Sequence, residues 1–170
     1  HQKDPLLLLD AFNKVARVAP DARLIMIGDG VLRDKILAHL EKLRLNDRVI
    51  LAGLRSAAEI ADLLRISSVF VLSSAYEGMP MCVLEALGSG LPAAVTDVGE
   101  IRRIIKPGIN GEIAEDNSPD SLASAILACM KHYDVFNGKP CLDVALNYTP
   151  CKVLKPVYEN YRHLAGLSRS

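Results

Sequence analysis

Tryptophan is absent from this chain, and aromatic residues together make up only 5% of it, so its interior has to be built from Leu, Ile, Val and Ala. Net charge is absent as well, since 20 Lys and Arg balance 20 Asp and Glu. A general nucleic-acid binder draws its affinity from a basic field, and that neutrality argues against one. The four cysteines, Cys82, Cys129, Cys141 and Cys151, form no C-x-x-C and share no metal-like spacing with the four histidines. They read as reduced thiols of a cytoplasmic protein. No apolar run approaches the roughly 20 residues of a membrane-spanning helix. The opening "HQKDPLLLLDAF" lacks the cleavage-site pattern of a secretory leader. It starts at His1 rather than Met, which reads as a piece of a longer chain.

What is present is alternation. Half of the 170 residues are hydrophobic, enough for one domain with a sizeable core. Asp4-Pro5 reads as a cap and first turn for a helix to about Val18, and Pro20 ends it. "ARLIMIG" is a short, continuous apolar run and reads as a buried strand, and "RVILAG" reads as the next strand, with a helix between them carrying Leu32, Ile36, Leu40 and Leu43 on one stripe. Ser56 and Glu59 form a capping box for "AAEIADLLRI". "SVFVLSS", "PAAVTD" and "PGINGEIA" supply three more strands, with helices between and after them. Ser118-Pro119 opens a helix to about Tyr133, Asn137 to Pro140 breaks it, and Thr149-Pro150 starts a last helix bent at Pro156. Five strands alternating with helices predict an open, doubly wound α/β domain with a parallel sheet and helices on both faces. Residues 1–170 read as one domain, with a C-terminal helical segment from about 139.

In such a sheet, ligands bind beyond the carboxyl ends of the strands. "GDG" (Gly28 to Gly30) follows a strand and opens a helix, yet Arg33 stands where a dinucleotide loop has its third glycine. A tight turn needing positive φ explains both glycines without a ligand. "AGLRS" (Ala52 to Ser56) can offer backbone groups to a planar base or be an ordinary connection; the residues leave both open.

The stretch "YEGMPMCVLEALGSGLP" is richer. Gly78 permits close backbone approach, and Pro80 fits a helix's first turn. The N–H groups of Met81, Cys82 and Val83 would then face outward as an anion site. Glu85 sits among apolar residues one turn on, sharing a small, polar stripe with Cys82 and Ser89, while Val83, Leu84, Ala86 and Leu87 supply the core face. Side chains on a helix lean toward its N-terminus, so Glu85 overlooks the same mouth. A carboxylate there suits the vicinal hydroxyls of a ribose; pairing with Arg102 or Arg103 is the structural alternative. Glu77 alone reads as a helix-dipole acid.

Glu77 and Glu85, in "EGMPMCVLE", resemble the E-x-seven-E motif of the retaining family-four (group 1) glycosyltransferases of GT-B fold. The likeness extends through "VFVLSSAYEGMPMCVLEALGSGLPAAVTDVGEIRRIIKPGINGEIA", with "HQKDPLLLLDAF", "RLIMIGDG" and "VILAGLRS" as earlier landmarks in the family's order. The resemblance implies the C-terminal, donor-binding half of a two-domain enzyme. Glu85 would hold ribose hydroxyls, and Glu77 would contact the donor sugar and face the reacting carbon. The backbone of Gly78, Met79, Pro80, Met81 and Cys82 would cradle sugar and diphosphate. Lys3 falls at a phosphate-binding lysine, and Leu54 and Arg55 would line the base. The donor implied is a UDP-sugar first, a GDP-sugar second, and the acceptor a glycan or lipid-linked glycan held by a second domain. No cofactor and no metal are implied, because Lys3 and a helix N-terminus can meet the leaving diphosphate. The family's arginine and first strand, together with the acceptor domain, would precede His1. In "DVGEIRRII", Glu100 replaces a common second glycine and Arg103 a common Glu. Two alternatives are a nucleotide-sugar 2-epimerase and a non-catalytic nucleotide-binding domain. His39, His132 and His163 fall on helices rather than mouth loops, where an epimerase would want extra catalytic groups.

Overall fold

The computed structural model describes residues 2–164, with side chains described to Arg162. Asp4 opens α1 (Pro5–Val18): its Oδ1 accepts the Leu7 N–H at 3.1 Å, and Pro5 occupies a position needing no N–H. Asp4 takes a left-handed φ of 36°, which a short Asp side chain tolerates. There follow β1 (Leu24–Ile27), α2 (Arg33–Leu43), β2 (Val49–Gly53), α3 (Ala57–Ile66), β3 (Phe70–Leu72) and α4 (Met81–Gly88). Next come β4 (Ala93–Val95), α5 (Ile101–Ile104), β5 (Gly111–Ile113) and α6 (Pro119–Lys131). The reciprocal Ser56–Glu59 capping box is formed, and the Ser118 hydroxyl accepts the Ser121 N–H at 3.1 Å. Short α7 (Tyr133–Phe136), α8 (Lys139–Ala145) and α9 (Pro150–Leu164) complete the chain. The helix of α9 continues through Pro156. The side chain of His163 lies outside the described residues.

All strand pairs are parallel, but they form two sheets rather than one, β1-β2 and β3-β4-β5. The split falls where a doubly wound order turns outward in both directions: β1 is followed by β2, and β3 by β4 and β5. Among the described residues, β1 and β3 are not hydrogen-bonded to each other. Burial follows the pairing. β4, paired on both edges, is fully buried, whereas β1 and most of β3 are only half-buried. Ile27 of β1 is exposed and the rest of that strand half-buried, so the expectation of a buried first strand does not hold.

One shared core joins the two sheets beneath α1, α2 and α6, with Leu9, Phe12, Val15, Leu40, Leu122 and Ile126 packed against Val49 and Ala94. Each fully buried Leu, Val or Phe there contributes roughly 1.5–3 kcal/mol. The other face carries α4, α5 and α8, through Val83, Leu87, Ile101, Ile104 and Cys141. Helices cover both faces, as the alternation requires.

Candidate functional site

Positioning begins where β3 ends. Ser73 and Ser74 are buried. The Ser73 hydroxyl donates to the Lys3 carbonyl at 2.9 Å, and the Ala75 N–H donates to the Gln2 carbonyl at 2.7 Å. These bonds tie the segment ahead of α1 to the carboxyl end of β3, and they bring Lys3 to Glu77, 74 residues away. Lys3 Nζ lies 2.5 Å from Glu77 Oε1, and Ser74 Oγ donates to the same oxygen at 2.8 Å. The Lys3 side chain is 63% exposed, so the pair adds little stability; its effect is orientation. Burial pushes the Glu77 carboxyl up, but the hydrogen bonds from Lys3 and Ser74, with the Lys3 charge, outweigh it and hold the group below the ordinary 4.5.

The loop after β4 closes the other side. Gly99 lies so close that a Cβ would stand 2.3 Å from the carbonyl oxygens of both Glu77 and Gly78. The Glu100 N–H donates to the Gly78 carbonyl at 3.1 Å. Thr96, fully buried, donates to the Ser74 carbonyl at 2.7 Å. Sequence reasoning missed Ser73, Ser74, Thr96 and Gly99. The available signal was the pair of small hydroxyl residues at an apolar strand's end.

Pro80 precedes α4 as its cap, a correction to the first-turn placement. It has no side-chain oxygen to cap with, so its carbonyl instead accepts the Val83 N–H at 3.0 Å. Met81 and Cys82 therefore keep N–H groups without a backbone acceptor among the described residues, and Val83 does not. The core face is as expected, with Val83, Leu84, Ala86 and Leu87 buried. Glu85 is exposed, and no hydrogen bond or ion pair reaches its carboxylate among the described residues. Arg102 pairs with Asp97 at 2.6 Å and Arg103 with Glu100 at 2.8 Å. The two residues that depart from the family pattern thus satisfy each other, and neither arginine meets Glu85. Gly78, Met79 and Met81 are exposed around this mouth, with Pro80 buried beneath.

Leu54 is exposed, and Arg55 folds back on its own segment, Nη1 donating to the Leu54 carbonyl at 3.2 Å. No hydrogen bond or ion pair among the described residues joins these two to Lys3 and Glu77. The Gly28 N–H donates to the Gly53 carbonyl at 2.9 Å, linking the loops after β1 and β2. Gly28 has φ of 127°, as a tight turn demands, while Gly30 needs no such conformation. Among the described residues, no three His, Cys, Asp or Glu side chains gather as a metal site would require. A shallow groove of about 530 Å³ runs along α9 between Pro150 and Arg162 and includes none of the residues above.

The thiols differ in reach. Burial pushes Cys129 and Cys141 up to about 12. Burial also raises Cys82, against the opposing charge of Lys3 and with that of Glu77. Cys151 is exposed. Because the thiolate is the nucleophile, Ellman's reagent at pH 8 should label Cys151 first and Cys82 slowly. Cys129 and Cys141 should react only on unfolding, and peptide mapping of the native, labelled chain checks that order.

Residues 1–135 match the sequence model described as glycosyl transferases group 1. The UDP-Gal:alpha-D-GlcNAc-diphosphoundecaprenol alpha-1,3-galactosyltransferase of Escherichia coli is 33% identical over 129 residues, 74% of this chain and 33% of that protein. The lipopolysaccharide 1,6-galactosyltransferase of Salmonella typhimurium is 38% identical over 107 residues, 61% of this chain and 30% of that protein. The chain thus spans about a third of the length of these curated relatives. Anabaena HepE in complex with UDP shares the fold, with a TM-score of 0.84 at 20% identity over 95% of this chain and 46% of that one. The match stops at residue 135, short of α8 and α9, and what it covers is the whole strand–helix alternation with the Lys3–Glu77 cluster and Glu85: this chain belongs to the group 1 glycosyltransferases.

Proposed function

We propose that this chain is the donor-binding half of a retaining glycosyltransferase that uses a nucleoside diphosphate sugar. The observation carrying this reading is the convergence of Lys3 and Glu77 at the end of β3, beside a helix start that leaves the Met81 and Cys82 N–H groups without backbone acceptors among the described residues and Glu85 exposed. Glu85 takes the ribose diol. Lys3 and the two N–H groups take the diphosphate, on which negative charge grows as the anomeric C–O bond breaks. Glu77 meets hydroxyls of the donor sugar. The acceptor hydroxyl attacks from the leaving group's own side and passes its proton to the departing phosphate oxygen. No step calls on a metal. Leu54 and Arg55 border the base, and UDP is the first choice because HepE, of the same fold, was solved with UDP.

The acceptor, a glycan or a lipid-linked one, belongs to a second domain in this reading. Its chain would enter as a parallel strand between β1 and β3 on its way to Gln2, whose carbonyl already accepts the Ala75 N–H. The 170 residues alone then bind donor and transfer nothing. No helix among the described residues is long and apolar enough to cross a membrane, and a cytoplasmic enzyme working on an acceptor brought by that second domain fits. Neither alternative gains an observation: His39 is bonded to Asp10 at 2.7 Å, and the His132 ring leans on Phe136. Calorimetric titration of the chain with UDP, GDP and ADP tests the proposal. UDP should bind most tightly, and absence of binding by all three at millimolar concentration defeats it.

A further inference from the structure

We propose that Ser74 is a positioning residue for Glu77, fixing which of its two carboxylate oxygens faces the donor sugar; this rests on the donor-binding reading above. Two donors converge on Glu77 Oε1, Lys3 Nζ and Ser74 Oγ, and none among the described residues reaches Oε2. No buried side-chain oxygen lacks a partner among those residues, so Oε2 keeps a narrow exposure to solvent on a side chain that is itself only 9% exposed. The two donors differ in kind. Lys3 approaches from the solvent side on a flexible stem that is 63% exposed. Ser74 is wholly buried, and its backbone is pinned from behind by Thr96, itself wholly buried, at 2.7 Å. Lys3 has a second task at the diphosphate. When its ammonium turns there, only Ser74 still holds Oε1, and Glu77 keeps Oε2 aimed at the sugar instead of swinging after the lysine. A lysine shared between carboxylate and phosphate thus requires a second, immobile donor, and the hydroxyl of Ser74 supplies it.

The titratable groups facing Glu77 are Lys3, ahead of α1, and the Cys82 thiol on α4. Carbon-detected NMR titration of the Glu77 carboxyl in the free chain therefore reads the Ser74 bond directly, in wild type, Ser74→Ala and Ser74→Cys. The cysteine variant fills the same site with a slightly larger thiol and weakens the donor. Both variants should move the Glu77 midpoint upward, while Ser124→Ala, whose hydroxyl donates to the Asp120 carbonyl in α6, should leave it in place. Calorimetry with UDP and UDP-glucose supplies the second reading. The variants should keep UDP affinity within about twofold and lose about tenfold of the extra affinity that the sugar confers, a hydrogen bond's worth. An unmoved Glu77 midpoint overturns the proposal. So does an equal loss of UDP and UDP-glucose affinity, which a merely structural serine would give. If wild type binds no nucleotide, the donor-binding reading fails, and the carboxyl titration alone still decides whether Ser74 holds Glu77.

Discussion

Glu85→Ala should leave the free chain's melting temperature nearly unchanged and remove its stabilisation by UDP. The first half follows from the site: Glu85 is exposed and its carboxylate is unengaged among the described residues. Substitutions of that kind stay within about 0.5 kcal/mol, about 1–2 °C for a domain of this size. The second half follows from the ligand. A carboxylate accepting both ribose hydroxyls makes two charge-assisted hydrogen bonds of about 1.5–3 kcal/mol each. Losing both raises Kd on the order of 100-fold or more. UDP at 100 times the wild-type Kd stabilises the fold by about 2.7 kcal/mol, and the same concentration gives the variant only a few tenths. The melting shift should fall from roughly 5–10 °C to about 1 °C. Glu85→Gln, which keeps one acceptor without the charge, should lie between. A Glu85→Ala chain that UDP still stabilises fully would remove the ribose role and leave an exposed acid without function.

Local features were legible in the sequence because local chemistry fixes them. Asp4-Pro5, the Ser56–Glu59 box and Ser118-Pro119 set three helix starts, each satisfying N–H groups that a helix leaves open. The apolar spacing of Val83, Leu84, Ala86 and Leu87 gave the buried face of α4 and left Glu85 outside it. Pairing was less legible. The division into β1-β2 and β3-β4-β5 is a matter of which strands pair, and apolar runs of equal strength do not encode their partners. The cluster was legible in its charged members and hidden in its neutral ones. Lys3 and Glu77 stand out because a charge needs an explanation wherever it sits. Ser74 and Thr96 do not stand out, since a buried hydroxyl in a strand's end is usually satisfied by the backbone, and only the fold reveals that Ser74 spends its proton on Glu77.

Gly99→Ala should cost about 2–4 kcal/mol of stability and abolish the extra binding of a UDP-sugar. Two constraints meet there. Its φ of 53° belongs to the left-handed region, which costs an L side chain about 1–2 kcal/mol. Its Cβ would also stand 2.3 Å from two carbonyl oxygens, those of Glu77 and Gly78. Backbone on both sides leaves no flexible side chain to move aside, so one segment has to shift. If the 97–100 loop lifts, the Glu100 N–H leaves the Gly78 carbonyl; if the 77–78 peptide yields, Glu77 leaves Ser74 and Lys3. The second displacement unseats the carboxylate directly, the first frees the Gly78 peptide next to it, and the melting temperature should fall by about 4–16 °C. Gly30→Ala is the matched control, because nothing stands within 4 Å of that position and no left-handed φ is required there. It should be neutral or slightly stabilising. Calorimetric unfolding of both variants, with and without UDP-glucose, separates a clamp on Glu77 from a general need for glycine in the loops beyond the strands. A Gly99→Ala chain that melts like wild type and still prefers UDP-glucose to UDP would show that the Glu77 peptide is held by something other than this contact.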